Sequence, residues 1–209
     1  MPKTTFLNLS LQKQSVLLNA AKKEFSRVPL HEASISNIVK EADIPRGSFY
    51  QYFEDKEDVF FYLLEEESKR VTEHFYSLLQ INSGDLFESF KDWFKSILLE
   101  LEEPANHQFF RHAIMNVSYK LELILTSNIY EEKLKSSVVD LKDLVNFENL
   151  SIKMDTDFYH ILKILVAVML QNLVEIYTTG APSHKAVQTF SLELDLLKRG
   201  FHKGTSTAD

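Results

Sequence analysis

The stretch from Ser34 to Lys56, SISNIVKEADIPRGSFYQYFEDK, constrains the fold of this chain more than any other. Ser34 is a helix-capping residue type. Ile35, Ile38, Val39 and Ala42 then follow at i, i+3, i+4 and i+7, the period of one helix face. Asp43-Ile44-Pro45 stops that helix, because proline disfavours the α conformation in the residue before it and suits the first turn of a new helix. A second, very short helix is expected over Arg46 to Phe53, crowded with Phe49, Tyr50, Tyr52 and Phe53. Two short helices joined by about three residues make a helix-turn-helix. Proline offers no side-chain acceptor, so the cap of the second helix must come from elsewhere, with Asp43 the candidate.

The remaining chain reads as helices around this unit. A first helix is expected over Leu11–Arg27, with Val16/Ala20, Leu17/Ala21 and Ala21/Phe25 as i, i+4 apolar pairs. Asp55 is the natural N-cap of a long helix over residues 56–80. Asn82-Ser83-Gly84-Asp85 breaks the chain before a helix over 86–101. Further helices are expected over 106–116 and 118–144, then an irregular connection over 146–156. Asp155 or Thr156 would cap a helix running to Thr179, and after the turn Gly180-Ala181-Pro182-Ser183 a last helix spans 184–200. No stretch shows strand alternation. The expected fold is all-α with about nine helices.

Composition narrows the chemistry. The 209 residues contain no cysteine, so disulfides, thiolate metal sites and cysteine nucleophiles are excluded. The first residues lack a basic start followed by an apolar run, and the most apolar segment, Ile161 to Leu170, is interrupted by Lys163. A secretory signal and a membrane span are therefore not expected, and a cytoplasmic protein is. Net charge is −7, yet residues 1–56 carry eight Lys or Arg against six Asp or Glu, a net +2, leaving −9 on the remainder. A mildly basic module on an acidic body suits DNA contact through one end only.

Residues 11–60 resemble the DNA-binding domain of TetR-family transcriptional regulators. The resemblance lies in the apolar first helix ending in Phe25, the Ile-rich second helix, and the run Ile44, Pro45, Arg46, Gly47, Ser48, Phe49, Tyr50, Gln51, Tyr52 and Phe53 followed by Lys56, Glu57 and Asp58. It departs from the family at Pro29, where glycine is common, and at Pro45, where Ser or Thr often stands. It implies a three-helix DNA-binding domain over 1–55 and a helical effector-binding and dimerisation domain over 56–209. It further implies a homodimer paired through the last two helices, a palindromic operator on double-stranded DNA, and repression relieved by a small effector.

Ser34, Arg46, Gly47, Ser48, Tyr50, Gln51 and Lys56 are the DNA-contact candidates. Arg46 suits a guanine edge or a phosphate. Gly47 costs about 1 kcal/mol in a helix, explained either by close approach of the DNA backbone or by internal packing. Phe49 and Tyr52 are divided between core and groove. Lys56 stands in the first turn of a helix, where the dipole disfavours a cation, so either a phosphate meets it or Glu54, Asp55, Glu57 and Asp58 neutralise it.

The helix over 157–179 is apolar over more than one stripe, so a second surface is buried, either by a second copy or within one subunit. Aromatic walls with a few polar groups suit a small apolar or aromatic effector. Phe90, Trp93, Phe94, Phe110, His112, Met115, Tyr119, Tyr159 and Asn172 are candidates for such a pocket, although aromatics at helical spacing also make ordinary core. No metal-ligand spacing, phosphate-binding loop or nucleophile elbow occurs, so neither a metal, a cofactor nor an enzyme is expected. The alternative function is a helical binding or scaffold protein of the same fold without DNA recognition.

Overall fold

The structure is a computed structural model that describes residues 1–103, 106–113, 140–148, 150 and 154–201. The helices are α1 (Thr4–Leu7), α2 (Leu11–Arg27), a 3-10 turn (Leu30–Glu32), α3 (Ile35–Glu41), α4 (Arg46–Tyr52), α5 (Lys56–Ile81), α6 (Leu86–Leu101), α7 (Asp155–Thr179) and α8 (Ser183–Phe201). Residues 106–113 and 140–142 are also helical, and the remainder of the helices expected over 106–116 and 118–144 lies outside the described residues. The all-α expectation holds. Neither α1 nor the 3-10 turn was anticipated, because four and three residues are too few to carry a period.

The chain divides into two compact units, residues 1–71 with 100–121, and residues 72–99 with 122–209. In the first, α2 buries Leu17, Ala20, Ala21, Glu24 and Phe25, one unbroken face at i, i+3, i+4, i+7 and i+8. Val16, expected on that face, is instead 46% exposed. One member of the buried face is the charged Glu24, which an apolar pattern cannot reveal. Phe6, Phe25, Ile38, Phe49, Phe53, Val59 and Phe109 are fully buried around it.

Three capping expectations need correction. Ser34 is the N-cap residue of α3 but makes no side-chain cap, and its own N–H is instead bound by Glu24. Asp43 does not cap α4. It takes the left-handed conformation (φ 52°) directly after the C-cap Ala42 of α3, with its N–H on Lys40 O (3.4 Å) and the Ile44 N–H on Val39 O (3.0 Å). That pair of bonds is a Schellman closure, in which a short Asx-type residue replaces the usual glycine. Lastly, α7 begins one residue early: Met154 is the cap position and the Asp157 carboxylate accepts its N–H at 3.0 Å. Asp55 does cap α5, accepting the Asp58 N–H at 2.7 Å.

The second unit packs α6, α7, α8 and the end of α5 through aromatic layers. Phe75 meets Phe90 and Trp93 at ring-centroid distances of 4.8 and 4.6 Å, and Phe94 stacks on Phe190 at 4.3 Å. Lys91 pairs with Asp195 (2.7 Å) and Lys198 with Asp85 (2.8 Å), tying α6 to α8. Asp85 also accepts the N–H groups of Phe87 and Glu88. At the preceding break Gly84 has φ +80° and its carbonyl accepts the Asn146 N–H at 2.9 Å. Along α7, the span Thr156–Thr179 is long and apolar enough to cross a membrane by length and composition, and 33% of its apolar window is buried. Ile164 of this helix and Leu192 and Leu196 of α8 are exposed.

Candidate nucleic-acid interface

The α3–turn–α4 unit is held from behind by its aromatics. Phe49 and Phe53 are fully buried and Tyr52 is half-buried against Phe6 at 6.2 Å, so Phe49 and Tyr52 both belong to the core side. Arg46, Gly47, Tyr50 and Gln51 are exposed and Ser48 half-buried, the polar complement of the same short helix. A Cβ added at Gly47 would meet nothing within 4 Å, which removes internal packing as the reason for glycine there.

Arg46 is positioned by both helices. Its guanidinium donates to Ser36 Oγ at 2.6 Å, reaches Tyr50 Oη at 3.3 Å, and lies 5.9 Å from the Tyr50 ring centroid. A guanidinium carries five N–H donors, so these bonds orient the side chain and leave donors for a further acceptor. Ser36 was not singled out in the sequence, because it belongs to the helix before the turn and nothing local links it to Arg46.

Lys56 is engaged as well. Its ammonium donates to the carbonyls of His31 (2.8 Å) and Ala33 (3.1 Å), closing the 3-10 turn onto the start of α5. Two carbonyl bonds leave one of its three donors.

Glu24 is the functional-region residue that sequence reasoning missed. Its buried carboxylate accepts from Arg27 Nε (2.9 Å), Arg27 Nη2 (2.8 Å), Ser34 N–H (2.9 Å) and Asn37 Nδ2 (3.1 Å). The Arg27 hydrogen bonds hold its pKa below the ordinary carboxylate value, against the opposing effect of burial. The carboxylate fixes the entry of α3 from the end of α2, through the Ser34 N–H and the Asn37 side chain.

The start of α4 carries no side-chain cap at Pro45. Its other end is bound by a distant segment. Lys3 Nζ donates to Tyr50 O (2.8 Å), Thr5 Oγ1 to Gln51 O, and the Lys3 N–H to Tyr52 O (2.8 Å).

The effector candidates separate. Phe110 and His112 belong to the first unit, where His112 Nδ1–H donates to Phe25 O at 2.8 Å. Phe90, Trp93, Phe94, Tyr159 and Asn172 belong to the second; Phe90 and Phe94 are closed core residues. Met115 and Tyr119 lie outside the described residues. Asn172 is buried, donates to Glu193 at 2.6 Å, and lines a cavity of about 290 Å³ with Ile176, Thr179, Lys185 and Thr189.

Comparison with known proteins decides what this arrangement belongs to. Residues 17–63 match the family described as bacterial regulatory proteins, tetR family, and residues 85–201 match the tetracyclin repressor-like C-terminal domain. The chain belongs to the TetR family. As a TetR-family member it is a DNA-binding transcriptional regulator and not an enzyme. It is 37% identical over 92 residues to YdgC, an HTH-type transcriptional regulator of Bacillus subtilis (strain 168), an alignment that covers 44% of this chain and only 45% of that relative. Two solved TetR-family structures share the fold. One, from Mesorhizobium loti MAFF303099, is 16% identical, with TM-score 0.64 and coverage of 92% of this chain and 98% of that one. The other, from Pectobacterium atrosepticum, is 19% identical, with TM-score 0.66 and coverage of 91% and 94%. The dihydroxyacetone kinase operon activator DhaS is 20% identical, with TM-score 0.59 and coverage of 93% and 100%.

Proposed function

We propose that this TetR-family regulator is a homodimeric, ligand-released repressor acting in the cytoplasm. Residues 1–55 read a palindromic operator, and residues 56–209 bind the effector and dimerise. Arg46, Ser48, Tyr50 and Gln51 face base edges and phosphates, while Ser34, Gly47 and Lys56 lie along the DNA backbone. The observation that carries the reading is the short helix α4, whose aromatic side is buried and whose exposed side is Arg46, Gly47, Tyr50 and Gln51, with Arg46 held in place by Ser36 and Tyr50. Pairing through α7 and α8 is supported by the exposed Ile164, Leu192 and Leu196 and by an α7 apolar window that is only 33% buried.

The effector is a small apolar or aromatic molecule bound in the carboxy-terminal domain. Release follows if it binds the form that does not hold DNA more tightly than the form that does; equal affinity would shift nothing. The helix α5 is one continuous element from Lys56 to Ile81, beginning beside the DNA-contact residues, which suits it to carry the shift. Gel-shift titration of the purified chain against genomic fragments tests the reading. Specific retention of a fragment above competitor DNA is expected, and its absence at moderate salt would sink the proposal. A reporter placed behind that fragment decides the sign, repression being expected, whereas the similar DhaS is an activator.

A further inference from the structure

The last four carbonyls of an α-helix have no partner within it. In α4, a helix of only seven residues, each of them is nevertheless bound. Phe49 O accepts the Phe53 N–H, Tyr50 O accepts Lys3 Nζ, Gln51 O accepts Thr5 Oγ1, and Tyr52 O accepts the Lys3 N–H. Three of the four partners come from a segment more than forty positions earlier in the chain. That segment is anchored by Phe6, fully buried and ringed by Tyr52, Phe53 and Tyr62 at centroid distances of 6.2, 4.8 and 5.6 Å. At its start, α4 has no side-chain cap. A helix this short has little intrinsic stability, since nucleation dominates below about 12 residues. Its angle and register therefore depend on what grips its end as well as on the buried Phe49 and Phe53.

We propose that Lys3 to Phe6 form a clasp that holds α4 in its reading position, with Lys3 and Thr5 as positioning residues for operator recognition. The proposal rests on the reading of α4 as the DNA-reading helix. Lys3 is then a backbone ligand of the protein itself and not a phosphate contact. Base readout needs Arg46, Tyr50 and Gln51 placed together on base edges, whereas non-specific attraction to the phosphates does not. Loosening the clasp consequently lowers specific affinity more than non-specific affinity.

The test uses the full chain and a duplex that the wild type selects from a randomised library, with a scrambled duplex as reference. Thr5→Val and Lys3→Met should each weaken binding to the selected duplex by about five- to tenfold, the loss of one hydrogen bond. Binding to the scrambled duplex should change less than twofold, the salt slope should stay unaltered, and Thr5→Ser should restore wild-type affinity. Amide exchange over residues 49–53 should quicken in Thr5→Val while that of α2 stays constant. Unchanged affinity in Thr5→Val overturns the clasp. So does an equal loss on both duplexes with the salt slope of Lys3→Met reduced by about one, which would make Lys3 a phosphate contact. If the wild type selects no duplex, the DNA-reading assignment fails by itself. The exchange measurement then still decides the clasp: faster exchange supports it and unchanged exchange overturns it.

Discussion

Replacing Glu24 by Gln removes one charge and changes almost no volume. The carboxylate is 5% exposed and accepts four hydrogen bonds. A glutamine keeps one oxygen for the Ser34 N–H and Asn37, but its amide then faces the donor of Arg27. Arg27 is 56% exposed and can turn into water, so its ion pair counts like a surface pair, about 0–1 kcal/mol. The bonds to Ser34 and Asn37 fall from charge-assisted to neutral strength, a loss of about 1 kcal/mol each. The expected cost is about 2–3 kcal/mol, a fall in Tm of roughly 5–10 °C for a chain of this size. Thermal and urea unfolding followed by circular dichroism measure it. The pH dependence supplies a second check. The folded carboxyl lies below its ordinary value of 4.5, so its stabilisation is complete above that pH and is lost as pH falls through the depressed folded value. The gap between wild type and Glu24→Gln should therefore be constant from neutral pH down to about 5 and shrink below it. A glutamine variant within about 0.5 kcal/mol of wild type at pH 7 would refute the reading of Glu24 as the hub that fixes α3.

Phe6→Ala should cost about 3–5 kcal/mol, as for other buried phenylalanines, and unfolding curves of the purified variant check it. Gly84→Ala should be strongly destabilising, because φ is +80° and the new Cβ would stand 2.6 Å from Asn146 N and 2.7 Å from Leu144 O; a loss below about 1 kcal/mol would contradict that geometry. Lys56→Ala should weaken binding to all duplexes about equally and lower the salt slope by about one, measured by fluorescence anisotropy across a salt series. If the proposed pairing through α7 and α8 holds, Leu192→Glu combined with Leu196→Glu should give monomers in light scattering where the wild type gives dimers, while the helical circular dichroism signal persists.

Much of the fold was legible because helix signals are local. The bounds of α2 and α6 followed from apolar period and break residues, and α5 and α8 from the same signals to within one residue at each end. The helix-turn-helix was legible for a further reason: Asp43-Ile44-Pro45 interrupts two periodic runs, and the exposed polar set of α4 is what its buried aromatics leave over.

What the tertiary structure decided is the partner of each polar group. The sequence placed Ser34 and Asp43 as caps from their residue type and position, yet Glu24 holds the entry to α3, ten positions earlier in the chain. Asp43 instead closes the end of α3. Lys56 turned from a cation judged against its neighbours into a donor to two carbonyls more than twenty positions away. Arg46 found Ser36 across the turn, and α4 found its carbonyl partners in Lys3 and Thr5. The physical reason is common to all of them. Periodicity records which face of a helix is buried, a property of neighbouring residues. Hydrogen-bond partners of orphan backbone groups are chosen by whatever the folded chain brings within about 3 Å, and that choice exists only once the helices have packed.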